Sequence, residues 1–532
     1  MKPAYAAVAL YALLAALVVP IYPHFPSPNE FTRWALVAAV VDFHTIEVSR
    51  TAAILGPQFE DLAAVDGRVY SNKAPGAALV AAPGYLLVRP FIGPPSAANL
   101  RVALTAMRWC GATLPLLLLA LAFARRDALT TVALLFATPL FAYGLLLFSH
   151  ALVAAALFGA WLMLFEGPSP RSRGEGAALA ADEGCHPAGI APHPALRATL
   201  SPRRGARDLA AGALLGIAVA SEYPIVIPAL ILFAFAQNRW KVAAGGAPFA
   251  ILLALYHKAA FGGVFELPSA HEKFGAFREL AGSGVFGVHA PSPSIFLALL
   301  VHPARGLLLF APIVVGGVLA LKHVPRQQRL TLILVPLSIF AVYSGYPNWH
   351  GGWAVGPRYV VSAIPFLLFP LTFRNAGVSP AGLAASRRRA PGRRGASRRD
   401  AGVTLLLGIG AATVVPLTLT FPFPDQAITL PWANLAWPLL RHGLVAPNLL
   451  HFVARPLAIA VPFAIVIAAL AITKRPLVAA GVAIVIVVSA IAAQKTPIAA
   501  YIEQVYFERG GAFTKTPRAQ RDLTLPPPSW PF

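Results

Sequence analysis

Glu30 and Arg33 stand one helical turn apart in SPNEFTRW, which begins at Ser27. A carboxylate there can accept a proton and a guanidinium can hold an anion. A second group follows in DGRVYSNKAPG, Asp66 to Gly76, where two cations, an anion, a tyrosine and an amide precede an apolar helical pattern. Asp66-Gly67 is a turn signal, Arg68 to Tyr70 extends from it, and Asn72 is placed to cap a helix beginning near Ala74. Lys73 at such a helix start suits an anion, because free N–H groups and the helix dipole favour the same charge. A lysine snorkelling to an interface accounts for it equally well. Glu30 also has a structural alternative. Ser27 as cap, Pro28 at the first helical position and Glu30 three residues after the cap make a capping box.

Further along, His150 sits between two apolar runs, where packing competes with chemistry. Glu222 falls at the junction Ser221-Glu222-Tyr223-Pro224, and an acid at a membrane boundary is a functional candidate. The segment 260–303 offers Glu266, His271, Glu272 and Lys273, then His289, with Arg305 beyond it. His271-Glu272 lacks a third ligand at a recognisable spacing, so a divalent metal has no support. The loop YPNWHGGWAVGPRY, Tyr346 to Tyr359, has flat faces in Trp349, Trp353 and Tyr359 for sugars or for a headgroup belt. It also carries His350, three glycines that let backbone approach a ligand, and Arg358, able to fork onto a phosphate. There is no GxxxxGKS, dinucleotide fingerprint, GxSxG or paired CxxC. ATP-driven and redox chemistry are therefore unsupported, and no cofactor is expected.

The elements that position these groups follow from composition. Of 532 residues, 57% are hydrophobic and 12% charged, about half the charge of a soluble domain. Apolar runs of about 17–20 residues recur, long enough to cross a bilayer. We expect an all-α polytopic membrane protein with about thirteen transmembrane helices. The expected spans are 4–22, 103–124, 129–149, 151–166, 208–221, 223–237, 243–259, 304–321, 329–345, 359–373, 402–420, 456–473 and 476–493, with 208–221 and 223–237 forming a hairpin. The net charge of +22 reflects cations clustered in short loops rather than a nucleic-acid partner. Positive charge places the N-terminus and the basic loops 167–207 and 374–401 inside, and 75–92 along the outer interface. The domain is expected over 1–493, with 23–102 as a first outer loop carrying amphipathic interfacial helices, and 494–532 as an outer tail. In that loop Phe31, Trp34, Ala35 and Ala38 suit a helix lying on the membrane surface. Two cysteines, Cys110 and Cys185, indicate no disulfide framework.

The order of features resembles the polyprenyl-phosphate-dependent glycosyltransferases of the GT-C fold, among them protein O-mannosyltransferases and aminoarabinose transferases. Their first outer loop reads roughly DExxR, then GxYxxKPP. Glu30 and Arg33 match the acid and arginine; Tyr70 and Lys73 match the tyrosine and lysine. Asn29 falls where the family carries an Asp, and Ala74 replaces the first proline before Pro75. The resemblance covers 1–165 and is architectural beyond. It implies an inner-membrane enzyme that moves a sugar from a polyprenyl-phosphate donor to an acceptor on the outer face, with inversion. In that scheme Glu30, Asp61 or Asp66 is the base. Arg33, Tyr70, Lys73, His150 and Arg358 hold the donor, and Glu222, Trp349, His350 and Trp353 contact substrate. The rival readings are a transporter of lipid-linked saccharides and a noncatalytic envelope-assembly protein.

Overall fold

The computed structural model describes residues 3–22, 27–56, 61–166, 202–373 and 398–492, apart from scattered positions between 274 and 286 and residues 427 and 442. The basic stretches 167–201 and 374–397, with Cys185 and the arginine-rich run, and the tail from 493 lie outside the described residues.

The chain is mostly helical. Its principal elements are α1 (Pro3–Leu17), α2 (Pro28–Phe43), α3 (Ser49–Leu55), β1 (Leu62–Val65), β2 (Arg68–Ser71), α4 (Gly76–Ile92) and α5 (Leu100–Ala124, with a π turn at Trp109–Thr113). After these come α6 (Ala128–Phe136), α7 (Ser149–Phe165), α8 (Pro202–Ser221), α9 (Val226–Phe235), α10 (Arg239–Phe261), α11 (Arg326–Ser344) and α12 (Arg398–Thr420). Among the described residues, α5, α10 and Ala401–Thr420 are long and apolar enough to cross a membrane; shorter apolar helices accompany them. Only 17% of the apolar window of α10 is buried in protein, so its greasy surface calls for lipid around it.

Several expected spans are interrupted rather than continuous, and proline supplies the reason. The run expected over 129–149 breaks before Pro139 into α6 and Leu140–Tyr143. The run over 304–321 breaks around Pro312 into Leu307–Phe310 and Val314–Ala320. The segment 76–92 is a single helix despite Pro83 and Pro90.

Among the described residues two apolar cores form. The larger gathers α1, α5, α6, α7 and α12; the smaller lies under α2, α4, β1, β2 and the end of α10. In the smaller core α2 departs from expectation. Every residue from Glu30 to Ala39 is buried, so α2 is covered on all sides by protein rather than lying one-sided on a surface. Ser27 makes no side-chain cap bond to it, and the expected capping box is absent.

The second departure from an all-helical fold is a hairpin. Asp66 and Gly67 take φ of 48° and 77°, the two positive values that a tight two-residue turn between twisted strands needs. β1 and β2 pair antiparallel, Leu62 opposite Ser71 and Val65 opposite Arg68.

α8 packs along α10, not along α9. A Cβ on Gly212 would fall 1.9 Å from the Val242 carbonyl oxygen, and one on Gly245 would fall 2.0 Å from that of Leu209. Only glycine permits that backbone approach, the device by which small residues bring helices together in lipid. Gly212 and Gly216 are four residues apart on the contacting face. α9 meets α8 at the turn and lies against α11 instead. The expected hairpin of 208–221 and 223–237 is thus splayed, and a cavity opens between its arms.

Candidate functional site

That cavity has a volume of about 1120 Å³. One end is apolar, walled by Leu215, Val219, Ile227, Leu230, Phe233 and Leu253 from α8, α9 and α10. The other end is polar and receives side chains from widely separated parts of the chain.

From α2, Asn29 and Arg33 enter together. Arg33 Nη1 donates to Asn29 Oδ1 at 3.0 Å, and Nη2 donates to Ser149 Oγ at 3.1 Å at the start of α7. Ser149 Oγ in turn donates to Glu222 Oε1 in the turn between α8 and α9. Tyr343 donates to Glu222 Oε2 at 3.3 Å, and His150 Nδ1 lies 3.4 Å from Oε1. Arg358 donates from Nη2 to Tyr359 Oη at 3.0 Å, and its guanidinium carbon stands 4.8 Å from the centre of that ring. Tyr359 stacks on Tyr343, centroids 4.8 Å apart and planes 7° apart, which stiffens the wall beside both charges. Arg33 and Arg358 each bury an Nε without a hydrogen-bond partner. Those two atoms are closed off, but both guanidiniums border the cavity, and a planar cation there can fork onto a phosphate.

A further contribution is the stretch after β2. Asn72 does not cap a helix; the next one begins at Gly76 with Pro75 before it. Lys73 therefore stands outside the helix start, and its Nζ pairs with Asp61 Oδ1 at 2.7 Å. Asn72 Nδ2 donates to Asp61 Oδ1 at 2.6 Å and to Glu272 Oε2 and Oε1 at 3.0 and 3.1 Å. Glu272 reaches the same end of the cavity. Its backbone bridges Ala63 antiparallel, and Lys273 N–H donates to Leu62 O at 2.8 Å, so the segment after α10 clips onto the free edge of the hairpin. Burial raises the Glu272 carboxyl to about 7, offset in part by Lys73 and reinforced by Asp61. For Asp61 burial also pushes upward, but Lys73 and Asn72 outweigh it and hold the carboxyl below its ordinary value.

Of the residues named from sequence, Arg33, Asn72, Lys73, His150, Glu222, Glu272, His289, Arg358 and Tyr359 border this cavity. Others are placed elsewhere. Glu30 is 2% exposed, accepts the Leu147 N–H at 2.7 Å and does not line the cavity; burial raises its carboxyl. Asp61 stands behind Lys73, and Asp66 is exposed at the hairpin turn. Tyr70 is buried with its ring edge-on to Phe261 at 5.8 Å. In the 346–359 loop, Trp349 packs edge-on against His302, and His350 uses its carbonyl to accept from Arg305 Nε at 3.0 Å. Trp349, His350 and Trp353 do not line the cavity, whereas Tyr346 and Tyr359 of the same loop do. His271 pairs with Glu266 at 3.1 Å, and among the described residues no three metal-ligating groups come together.

Tyr343 and Tyr346 reach the cavity without having been singled out, while Asn29 had drawn notice only as a departure from the family motif and Glu272 only beside His271 as a weak metal ligand. For Glu272 the missing information was its neighbour: nothing local in the sequence pairs residue 272 with residue 63. The glycines at 212 and 216 were a readable signal for close helix packing. No family profile, curated protein or solved structure matches the chain.

Proposed function

We propose that this protein is an integral-membrane glycosyltransferase, moving a sugar from a polyprenyl-phosphate donor to an acceptor hydroxyl at the outer face of the inner membrane. The observation that carries the reading is the two-ended cavity, with Arg33, Lys73 and Arg358 at one end and a helix-walled apolar trough at the other. A donor of this class has the same two-part chemistry: a charged phosphate bearing the sugar, and a long hydrocarbon tail. Buried, preorganised cations would stabilise the charge that develops on the phosphate as the glycosidic bond breaks. A cavity carboxylate would accept the proton of the attacking hydroxyl, and attack opposite the leaving phosphate gives inversion. No metal or cofactor enters this scheme.

The topology that goes with it has about thirteen spans, the N-terminus inside, the C-terminus outside and 76–92 not crossing. Transport of a lipid-linked saccharide needs a polar path through the bilayer, and the trough beyond the charged end is lined by Leu, Val, Ile and Phe. The test is reconstitution of the full chain in liposomes with decaprenyl-phosphate-mannose or decaprenyl-phosphate-aminoarabinose, and measurement of released decaprenyl phosphate. Release that depends on protein supports transfer. Movement of intact donor between leaflets, with no release, supports transport instead.

A further inference from the structure

We propose that Glu272 is the proton acceptor for the attacking hydroxyl, with Asn72 as the residue that positions its carboxylate; this rests on the transferase reading above. Among the described residues two carboxylates border the cavity, Glu222 and Glu272. They differ in what already holds them. Glu222 receives the hydroxyls of Ser149 and Tyr343 and lies beside His150, so its oxygens are committed to fixing the wall. Glu272 is held by one side chain among the described residues, the Asn72 amide, whose Nδ2 spans both of its oxygens. The second hydrogen of that amide is anchored on Asp61, itself locked to Lys73. The carboxylate is thus aimed by a rigid chain that also fixes the lysine meeting the donor phosphate, while lone pairs remain to accept a proton.

The step balances without a co-reactant. The acceptor oxygen forms a bond to the anomeric carbon, the bond from that carbon to the phosphate oxygen breaks, and its electron pair leaves on polyprenyl phosphate. The hydroxyl proton passes to Glu272. A carboxyl raised to about 7 by burial is a stronger base than an ordinary carboxylate and is still ionised in half the molecules at neutral pH. The charged and titratable groups around it are Lys73 and Asp61 from the hairpin side, Tyr346 from the loop after α11, and His271, Lys273 and Glu266 on its own segment.

The experiment compares wild type with Glu272→Gln, both as full chains in liposomes with the two decaprenyl-phosphate sugars as probe donors, and also titrates each with decaprenyl phosphate at pH 6 and pH 8. The expected result is a fall in release of about 10²- to 10⁴-fold in the variant, with unchanged melting and unchanged decaprenyl phosphate affinity at pH 6. The wild-type rate should rise with a midpoint near 7 that the variant lacks. Equal release by both proteins overturns the proposal. If the wild type turns over neither donor but binds decaprenyl phosphate, the pH titration decides. Wild-type affinity should then weaken about tenfold more than the variant's between pH 6 and 8, since proton uptake by a group of pKa near 7 accompanies binding; equal weakening overturns the proposal. No binding of decaprenyl phosphate by wild type sinks the transferase reading itself, and Glu272 with it. Should Glu272→Gln fail to fold, Asn72→Ala serves: loss of that amide donor should move the midpoint upward, and an unmoved midpoint is the contrary result.

Discussion

Lys73 Nζ lies 2.7 Å from Asp61 Oδ1, and Lys73 faces the cavity while Asp61 does not. The carboxylate braces the lysine from behind. Because Asp61 is held below its ordinary value in the folded protein, its contribution to stability is present above the unfolded value of about 3.9. It is lost as pH falls through the lower folded value. Asp61→Asn should therefore lower stability at pH 7 by about 1–3 kcal/mol and remove part of the loss seen on acidification. Thermal melts between pH 2 and 7 check this; an acid limb identical to wild type contradicts it.

Arg358 and Lys73 should act on donor binding, Lys73→Ala with a stability cost besides because Asp61 loses its partner. Arg358→Ala and Lys73→Ala are each expected to weaken decaprenyl phosphate binding by about 1.5–3 kcal/mol. Arg358→Lys should restore little, since a point charge cannot reproduce a planar fork onto phosphate. Titration calorimetry in detergent measures both. Unchanged affinity in all three variants would mean that these cations only anchor the interface.

Glu30 separates the sequence expectation from the geometry. Its carboxylate accepts the Leu147 N–H and stands off the cavity wall. Glu30→Gln keeps an oxygen that can accept the Leu147 N–H and removes a charge that burial penalises, so stability and donor turnover should both stay near wild type. A loss of 10²-fold or more at unchanged stability would return the base to Glu30.

The α8–α10 contact is a packing test. Gly212→Ala places a methyl against the Val242 carbonyl, where no flexible side chain can give way. Overpacking of this kind costs about 1–3 kcal/mol, and should widen the cavity mouth as α8 moves off α10. A melt equal to wild type would show that the two helices are not held at this distance.

What was legible in the sequence was local. The apolar runs announced helices, Asp66-Gly67 announced its turn, and the resemblance drew attention to Arg33 and Lys73, which do border one cavity. What was not legible depended on pairings across long separations. α2 looks amphipathic because its neighbours are absent from the sequence window; in the fold, α4 and the hairpin cover its other side. Ser27 and Glu30 have the spacing of a capping box, but Glu30 finds the Leu147 N–H, 117 residues away. Asn72 reads as a cap, yet its amide bridges Asp61 and Glu272, and the latter partner is 200 residues distant. Of the flat faces read in the 346–359 loop, Tyr359 lines the cavity whereas Trp349 and Trp353 do not; Tyr346, not read as one, lines it too.

The measurement that tests the central claim most directly is a structure of the full chain with decaprenyl phosphate bound in a lipid nanodisc. The phosphate is predicted to lie within hydrogen-bond reach of Arg33, Lys73 and Arg358, with the prenyl chain running along α8, α9 and α10 through the trough lined by Leu215, Ile227 and Phe233. A phosphate seated away from those three cations, or a trough filled only by bilayer lipid with decaprenyl phosphate present in excess, would contradict it.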